Sequence, residues 1–522
     1  MDFNVFNNKV YYSVDNNEEF LLLKKALRIW YRDRFGGLKN HILLNFREKS
    51  FPTGYLSTVL EKLEKKSVIP KITDNRQVTS PHLFFKKKGS LPPLWDHQEE
   101  ALKKIESNNV GVIESATGSG KSRIILETFL QKRVKTLIIV PTTTIQKSMK
   151  DLFISEIGIK NVSIKTPKTD FIRPKLETLK KNNIGSSFFE DKSEISPSNK
   201  EKKKTGSSYF DDLSEGNKND PEEKYLSKKK KSFNFNKAKK ETKLMEYPVT
   251  ILCFQSLDEC SIDFLESVEC VIIDECHHAS SLSIRSALLK MKKAGYRYAF
   301  SGTPWRDKKE DELLLISAIG YNKIFELDGN SAVDRGLVVP PKYEIIQSPT
   351  PDKFLRDIKD WRTILEKGII GNKTRNSAII NNAINLYEEG KNILICVDEI
   401  SHLEILKDRL KEKGYNPAIV HSQLPDKEKE VAIDLISKEK GPFISIATMS
   451  IGEGADLVSV SAVILASGGK GSIRLLQRIG RGMRLSKDKE TLIVRDFDDW
   501  FHPTLMKHSR MRRNIFNRVY RK

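Results

Sequence analysis

The stretch VGVIESATGSGKSRIILETFL (110–130) decides the fold of this chain. VGVIE (110–114) is a continuous apolar run, which is typical of a strand covered on both faces of a parallel sheet. SATGSGKS (115–122) follows it directly, and RIILETFL (123–130) has the spacing of a helix. A glycine-containing loop between a strand and a helix lets backbone N–H groups hold phosphates. The stretch therefore predicts an α/β domain with a nucleotide site.

Individual roles in this loop follow from the residue types. Gly118 and Gly120 allow backbone angles and a close approach of phosphate that a side chain would prevent. Lys121 is expected to reach the phosphates as a point charge, and the hydroxyl of Ser122 to hold Mg²⁺. The pattern G-x-x-x-x-G-K-[ST] is missed at its first position, where this chain has Ser115. We expect the nucleotide to be bound by Thr117, Gly118, Ser119, Gly120, Lys121 and Ser122.

Similar apolar runs recur in two groups along the chain, within 91–340 and within 375–495. Helix-like stretches separate the runs, and this alternation indicates two parallel sheets with helices on both faces. We therefore expect two α/β lobes with a cleft between them. The predicted strands are VGVIE (110–114), TLIIV (136–140), VTILCF (249–254), CVIID (270–274), RYAFS (297–301), NILICV (392–397), PAIVH (417–421), FISIA (443–447), AVILA (462–466) and TLIVR (491–495).

Three segments differ from these lobes in composition. Residues 1–90 contain short apolar runs and the helix-like FPTGYLSTVLEKLEKK (51–66), which predict a small α+β domain. Residues 185–245 are rich in Lys, Ser, Asn and Glu, so we predict that they are largely disordered. The end of the chain is predicted to be a basic tail. The predicted domains are 1–90, 91–340 including the insertion 185–245, 341–506, and the tail 507–522.

Positive charge is concentrated in these three segments. The 522 residues include 90 Lys and Arg against 69 Asp and Glu, a net charge of +21. Residues 1–90 carry +8, residues 185–245 carry +4 and residues 507–522 carry +7, so the two lobes are nearly neutral. A surplus of this size indicates an anionic partner. Its distribution predicts that these three segments, the basic appendages of the two lobes, make most of the contacts with phosphate.

The chain shows no sign of a membrane or secreted protein. No run reaches 18 apolar residues, and the start MDFNVFNNKV lacks the basic and apolar regions of a signal peptide. The cysteines are odd in number and form no Cys-x-x-Cys pair, which indicates free thiols in a reducing compartment. They are Cys253, Cys260, Cys270, Cys276 and Cys396. We expect a cytoplasmic protein whose anionic partner is nucleic acid rather than a membrane.

CVIIDECHH (270–278) places two carboxylates at the carboxyl end of a predicted strand, the edge where parallel sheets bind ligands. Asp274 is suited to hold Mg²⁺, and Glu275 to orient or deprotonate an attacking water. The alternative is a zinc site made by the three residues that follow. Three adjacent residues cannot all face one tetrahedral ion, so we expect His277 to couple neighbouring motifs instead.

Two later stretches carry further candidate residues. SGTP (301–304) ends another predicted strand, so it is expected beside the acidic residues on the same sheet edge. In LLQRIGRGMRL (475–485), Arg481 and Arg484 lie three residues apart on a predicted helix and can share one face. They lie in the second lobe, across the expected cleft from the loop 115–122, and are therefore candidates for arginine fingers. Such arginines stabilise charge in the transition state and raise rates about 10³–10⁵-fold.

The ordered motifs resemble those of the superfamily 2 helicases and translocases. They are SATGSGKS (115–122), VPTTTIQ (140–146), TILCFQSL (250–257), DECH (274–277), SGTP (301–304), ATMSIGEGAD (447–456) and QRIGRGMR (477–484). The resemblance covers about 91–500 and implies two tandem RecA-like domains with ATP and Mg²⁺ bound between them. It implies that Gln98 recognises adenine and that further residues act in groups: Gly454 and Asp456 on ATP; His277, Ser301, Thr303 and Gln477 in coupling; Thr143, Ser256 and Thr448 on the nucleic-acid backbone.

Within the superfamily, the DECH box, SGTPWR (301–306) and DFDDWFHPTLMKHSRMRRNIF (496–516) resemble the phage branch-migration helicases of the UvsW type, and more distantly XPB. The segment 36–76 resembles the small damage-recognition-like domain that precedes the motor in these enzymes. The resemblance implies a DNA helicase that remodels forks, Holliday junctions and R-loops. Three alternatives remain: an RNA helicase, a motor subunit of a restriction or defence complex, and a non-catalytic nucleic-acid clamp.

Overall fold

The computed structural model of the chain contains two parallel sheets, a mixed four-stranded sheet and a two-stranded hairpin in its described part. The chain divides into two units, Met1–Thr166 with Leu244–Lys522, and Pro167–Lys243. The second unit lies outside the described residues, as does the predicted disordered insertion 185–245. The structure describes residues 1–32, 38–85, 88–89, 91–116, 118–158, 161–164, 247–278, 281–302, 309–320, 322–349, 355–438, 441–448, 457–469, 479–480, 482–483, 485 and 489–520.

The N-terminal residues form the predicted α+β domain. Its sheet has the order β5-β2-β1-β6, with β6 parallel to β1 and the other pairs antiparallel. The spacing of apolar residues also predicts a helix over 19–32, but the structure divides this stretch. The chain leaves the helix at Leu27 and continues as a hairpin strand whose Ile29 is buried. The elements are β1 (Asp2–Val5), β2 (Lys9–Ser13), α1 (Asn17–Ala26), β3 (Arg28–Arg32), β4 (Leu38–Ile42), β5 (Ser50–Pro52), α2 (Leu56–Glu64) and β6 (Lys71–Asp74).

The first lobe is a seven-stranded parallel sheet in the order β13-β7-β12-β11-β8-β10-β9 within the described residues. Its strands are β7 (Val110–Ser115), β8 (Thr136–Val140), β9 (Val162–Ser163), β10 (Val249–Cys253), β11 (Cys270–Asp274), β12 (Tyr296–Ser301) and β13 (Lys323–Leu327). Its helices are α3 (Asp96–Glu106), α4 (Lys121–Lys132), α5 (Thr143–Ile157), α6 (Ile262–Ser267), α7 (Leu282–Lys290), α8 (Lys309–Ile319) and α9 (Gly329–Asp334).

Helices cover both faces of this sheet, which explains its continuous apolar runs. Ile138 packs into the hydrophobic cluster on one face, whereas Leu137 and Ile139 pack into the cluster on the other. Because successive side chains of a strand point to opposite faces, most residues of such a strand are apolar.

The second lobe is a six-stranded parallel sheet in the order β14-β19-β18-β15-β17-β16, again counting described residues. The two sheets confirm the prediction of tandem RecA-like domains. The strands are β14 (Pro341–Gln347), β15 (Ile393–Cys396), β16 (Ala418–Val420), β17 (Ile444–Ala447), β18 (Ala462–Leu465) and β19 (Leu492–Asp498). The helices are α10 (Trp361–Leu365), extended by a π-helical turn (Glu366–Ile370), α11 (Lys373–Glu388), α12 (Ile400–Glu412) and α13 (Asp426–Lys438).

The predicted basic tail 507–522 is instead part of a helix, α14 (Pro503–Tyr520), as far as residue 520. Phe516 is buried and stacks on Tyr343, with ring centroids 4.3 Å apart. Arg512 is also buried, and its guanidinium donates to both carboxylate oxygens of Asp496. Apolar residues at helical spacing therefore fold this basic segment onto the second lobe.

The N-terminal domain shares a hydrophobic core with the first lobe. Leu314 and Ile316 of α8 belong to the same buried cluster as Phe3, Ile29 and Tyr55 of the N-terminal domain. The domain is therefore built onto α8 rather than joined only through the chain.

Candidate active site

Three of the predicted motifs meet at one edge of the first sheet. Strand β12 lies between β7 and β11 in the sheet, and all three run parallel. Ser301 pairs with Glu114 at the end of β7, and Asp274 pairs with Phe300. The loop after β7, the acidic residues after β11 and Ser301 at the end of β12 are therefore neighbours, as the sequence predicts.

The loop after β7 has positive φ angles at its two described glycines, as their residue type suggests. Gly118 and Gly120 have φ angles of 90° and 78°, in the left-handed region that favours glycine. Ser119 is buried, and its hydroxyl donates to the carbonyl oxygen of Ala116 at 2.7 Å. Gly120 directly precedes α4, so the N–H groups of Lys121 and Ser122 lie at the start of the helix, where a helix has no internal acceptor for them and a ligand can accept from them. Thr117 lies outside the described residues.

Lys121 lies between this loop and the acidic residues. Its ammonium donates to the carbonyl oxygen of Ser115 at 3.2 Å, and its Nζ is 3.9 Å from Oε1 of Glu275. A cation held between a glycine-rich loop and a carboxylate is placed to neutralise phosphate charge.

Gln98 packs against the loop that follows β7. It is buried, its amide nitrogen donates to the carbonyl oxygen of Ser119 at 3.4 Å, and its amide oxygen accepts from the N–H of Trp95. A Cβ atom at Gly120 would clash with the amide nitrogen of Gln98. The resemblance implies an adenine contact for Gln98, and the structure adds this packing role.

His97 is a loop contact that the sequence reasoning missed. Its Nε2 lies 2.8 Å from the carbonyl oxygen of Ser119, and burial lowers the pKa of its imidazole. A neutral ring whose Nε2–H donates to that carbonyl satisfies both observations. The only signal in the sequence is that His97 directly precedes Gln98.

Glu275, His277 and Ser301 form a polar cluster beside Asp274. The hydroxyl of Ser301 donates to Oε2 of Glu275 at 3.2 Å. Nδ1 of His277 lies 3.3 Å from the Ser301 hydroxyl and 3.4 Å from Oε2 of Glu275. The backbone N–H of Glu275 donates to Oδ1 of Asp274. His277 and Ser301, the expected coupling residues, therefore both contact the carboxylate of Glu275, which is expected to activate water. Thr303 lies outside the described residues.

The residues expected to contact nucleic acid follow the ends of three strands. Thr143 is exposed and is the first residue of α5, after β8. Ser256 is buried in the 3-10 turn that follows β10, and Thr448 is buried directly after β17 of the second lobe. Gln146, which we did not predict, links two motifs because its amide nitrogen donates to the carbonyl oxygen of Ile251 at 2.7 Å.

The remaining predicted residues of the second lobe are Gly454, Asp456, Gln477, Arg481 and Arg484, and they lie outside the described residues. Their described neighbours Ile479 and Met483 are buried in the core. The N–H of Val339 donates to the carbonyl oxygen of Met483 at 2.7 Å. Ile479 and Met483, the buried described residues on either side of Arg481, are therefore part of the core.

None of the five cysteines forms a disulfide, and burial raises the pKa of the Cys270 thiol to about 12. Within the described ranges, no group of three or more His, Cys, Asp or Glu side chains could hold a metal ion. None of the described helices combines the length and the apolar character needed to cross a membrane.

Two protein families match the chain along its two lobes. The family described as "Type III restriction enzyme, res subunit" matches residues 92–306, and "Helicase conserved C-terminal domain" matches residues 375–486. With two RecA-like sheets and a phosphate-type loop facing a DECH box, these matches define the class. Both lobes of the chain thus match conserved domains of the superfamily 2 helicases.

Within this class, the chain resembles the UvsW type. It is 26% identical over 255 residues to the ATP-dependent DNA helicase uvsW of Enterobacteria phage T4, which covers 48% of this chain and 50% of the relative. The chain spans about half the length of the relatives it matches. A crystal structure of T4 UvsW aligns with 100% of this chain and 98% of its own, at 17% identity and a TM-score of 0.40. Dbp5 of S. cerevisiae, bound to RNA and ADP BeF3, aligns with 81% of this chain and 87% of its own, at 14% identity and a TM-score of 0.47.

Proposed function

We propose that this protein is an ATP-dependent DNA helicase that unwinds or remodels branched DNA, such as forks, Holliday junctions and R-loops, in the cytoplasm. The observation that carries the proposal is the meeting of Lys121, Glu275 and Ser301 at one sheet edge of the first lobe. This arrangement combines a phosphate-binding cation with a carboxylate that can activate water.

ATP is the proposed substrate at this edge. The backbone N–H groups of the loop 117–120 and of the first turn of α4 would hold its β- and γ-phosphates, and Lys121 would neutralise them. Ser122 and Asp274 offer the hydroxyl and carboxylate oxygens that Mg²⁺ prefers, and a bound Mg²⁺ would neutralise charge on the phosphates. Glu275 orients or deprotonates the attacking water, while Gln98 contributes to adenine binding. Gly454 and Asp456 are proposed ATP contacts from the second lobe.

The cluster around Ser301 is proposed to report hydrolysis to the nucleic-acid contacts. Glu275 and His277 both contact the Ser301 hydroxyl, so a change at the Glu275 carboxylate alters the hydrogen bonding of β12. Thr303 and Gln477 are proposed members of the same coupling network. Arg481 and Arg484 are proposed to act on the γ-phosphate, because an arginine there stabilises charge in the transition state.

DNA is the proposed partner, contacted mainly through its backbone. Thr143, Ser256 and Thr448 are proposed to contact phosphates from the two lobes, which makes binding tolerant of sequence and sensitive to salt. Residues 1–90, with a net charge of +8, are proposed to supply the additional grip on branched DNA.

An ATPase assay run in parallel with single-stranded DNA, forked DNA, a four-way junction and RNA tests this function. We expect DNA to stimulate hydrolysis, with forks and junctions most effective. Lys121→Ala should abolish hydrolysis and leave DNA binding largely intact, whereas Lys103→Ala, an exposed lysine on α3, should behave as the wild type. Undiminished turnover by Lys121→Ala would refute the assignment of the site.

The same assay separates the alternatives when blunt duplex DNA is added as a fifth substrate and when strand separation and DNA binding are measured beside hydrolysis. A motor subunit of a restriction complex is supported by the description of the family that matches residues 92–306. Such a subunit should hydrolyse ATP on duplex DNA without unwinding forks by itself. Stronger stimulation by RNA would indicate an RNA helicase, and DNA binding without any hydrolysis would indicate a clamp.

A further inference from the structure

The β3–β4 hairpin presents an aromatic face to solvent. Its strands are antiparallel, with Trp30 opposite Asn40 and Arg32 opposite Leu38. Opposite and diagonal residues of such a pair lie on the same face of the ribbon, so Trp30, Asn40 and Leu38 share one face. Trp30 is 52% exposed and Leu38 is 63% exposed. This face therefore presents an indole ring and a leucine side chain to solvent.

Cations accompany the aromatic rings in this part of the chain. The guanidinium of Arg28 lies over the Trp30 ring, 5.4 Å from its centroid. The ammonium of Lys24 lies 5.5 Å from the centroid of the Phe46 ring, which is also half-exposed. Residues 24–49 contain eight Lys and Arg against two Asp and Glu. This combination of basic charge and exposed rings complements nucleic acid, whose phosphates are anionic and whose bases stack on aromatic rings.

The opposite face of the hairpin is fixed to the first lobe. Ile29 is buried in the cluster that includes Leu314 and Ile316 of α8. A group that binds to the exposed face would therefore be held in a constant position relative to the first lobe.

We propose that Trp30 is a stacking site for an unpaired nucleobase of branched DNA, assisted by Arg28 and Asn40. The indole offers a π surface to any base, the guanidinium attracts the adjacent phosphate, and the exposed amide of Asn40 can hydrogen-bond a base edge. The proposal rests on the proposed function and deepens it, because it names the residues by which the N-terminal domain distinguishes a branch point from continuous duplex. A base stacked here stays with the first lobe, so the motor can draw the strand away from a fixed point.

Binding measurements with forked, single-stranded and blunt duplex DNA at several salt concentrations test the site. Trp30→Ala should weaken binding to forked and single-stranded DNA by about 5- to 100-fold, because loss of one base–aromatic stack has this effect. Binding to blunt duplex should be nearly unchanged. The slope of affinity against salt should also stay the same, since stacking releases no counterions.

Two further variants make the result specific. Trp30→Phe should retain most of the affinity because it keeps an aromatic ring. Tyr11→Ala removes another exposed ring of the same domain, on β2, and should bind all three DNAs as the wild type does. Thermal melting of each variant checks that the fold is retained.

Three outcomes would overturn the stacking site: equal weakening on blunt duplex, an effect of Tyr11→Ala as large as that of Trp30→Ala, or unchanged binding of Trp30→Ala to every DNA. Unchanged binding of Trp30→Ala would indicate that the exposed face of the hairpin binds a protein instead. If the wild type itself neither binds DNA nor hydrolyses ATP, the proposed function fails. If the wild type does both and only the Trp30 variants are without effect, the stacking proposal alone fails.

Discussion

Glu275 occupies a backbone conformation that glutamate rarely adopts. Its φ angle is 49°, in the left-handed region, directly after the buried strand β11. A non-glycine residue in a sparsely populated region costs on the order of 1–3 kcal/mol and persists only where its surroundings hold it. Here the Ser301 hydroxyl and the carboxylate of Asp274 hold its side chain and its N–H. Strain is thus found at the residue proposed to activate water.

Comparing Glu275→Gly with Glu275→Ala tests this strain. Both variants should lose hydrolysis by orders of magnitude, because each lacks the carboxylate. Glycine adopts positive φ without steric cost, so Glu275→Gly should be more stable to urea than Glu275→Ala by about 1 kcal/mol. An alanine variant as stable as the glycine variant would show that the backbone there is unstrained.

His402 makes the stability of the second lobe depend on pH. Its Nε2 lies 2.9 Å from Oδ1 of Asn376, and burial, with the nearby charge of Arg375, lowers its pKa to about 3. In the unfolded chain the pKa is near 6.5. As the pH falls from about 6.5 towards 3, the unfolded chain takes up a proton that the folded protein does not, so stability falls by up to about 1.4 kcal/mol per pH unit.

The variant His402→Gln should lack this pH dependence. Glutamine keeps a hydrogen-bonding group but does not titrate, so the free energy of unfolding should fall less steeply between pH 6.5 and 5 than in the wild type. Urea denaturation at several pH values provides the measurement. Parallel curves for the two proteins would mean that His402 titrates alike in the folded and the unfolded protein.

Among the elements, α14 shows how a basic segment becomes part of a core. Arg512 donates to Asp496, to the carbonyl oxygen of Phe497 and to that of Gly469. Burial opposes the charge of the Arg512 guanidinium, but the Asp496 carboxylate raises the pKa of the guanidinium overall, so Arg512 stays charged. Gly469 ends the described part of the loop that leads to the segment with the proposed arginine fingers. The helix therefore joins the end of the chain to that loop.

Arg512→Ala should destabilise the protein by about 3–5 kcal/mol, because it leaves the carboxylate of Asp496 buried without its partner. Arg510→Ala is the matched control, since Arg510 is exposed on the same helix and its loss should change stability by less than about 0.5 kcal/mol. Urea denaturation of both variants gives the comparison. Similar effects of the two substitutions would show that helix propensity, rather than the ion pair, matters here.

In the whole molecule, the N-terminal domain and the first lobe meet at Gly54. A Cβ atom at this position would lie 2.5 Å from the carbonyl oxygen of Ile316 and 2.8 Å from that of Ser317. Both atoms belong to the backbone of α8, so neither can move aside as a side-chain end could. The close approach of the two domains thus requires glycine.

Gly54→Ala should therefore lower stability by about 1–3 kcal/mol, the usual cost of overpacking a close contact. Gly441→Ala is a suitable control, because a Cβ atom there would meet nothing within 4 Å. Thermal melting of the two variants measures the difference. Equal melting temperatures would show that the contact between the domain and α8 can open without cost.

The structure also changes the predicted role of the positive charge at the end of the sequence. The sequence predicts that three basic appendages grip phosphate, and the last residues carry +7 of that charge. In the structure, Arg512 forms an ion pair with Asp496 and Arg513 with Asp498, both on β19. Part of this positive charge is therefore neutralised within the protein. The basic N-terminal domain, with its exposed ring at Trp30, becomes the stronger candidate for binding DNA.

The sequence alone determined the two parallel sheets and the nucleotide edge. Both are encoded locally: apolar runs such as TLIIV (136–140) are typical of strands buried on two faces, and the glycines of the loop 115–122 favour its left-handed backbone angles. Because parallel strands align their carboxyl ends, motifs that follow such strands must meet. The neighbourhood of Lys121, Glu275 and Ser301 could therefore be predicted without coordinates.

Only the tertiary structure decided the contacts between distant segments. The packing of Gln98 behind Gly120, the left-handed backbone of Glu275, the docking of Gly54 on α8 and the burial of Arg512 have no local sequence signal. Each depends on two segments far apart in the chain that approach within a few ångströms. Periodicity reports which face of an element is buried, but the partner that covers the face is chosen by packing and charge pairing in three dimensions.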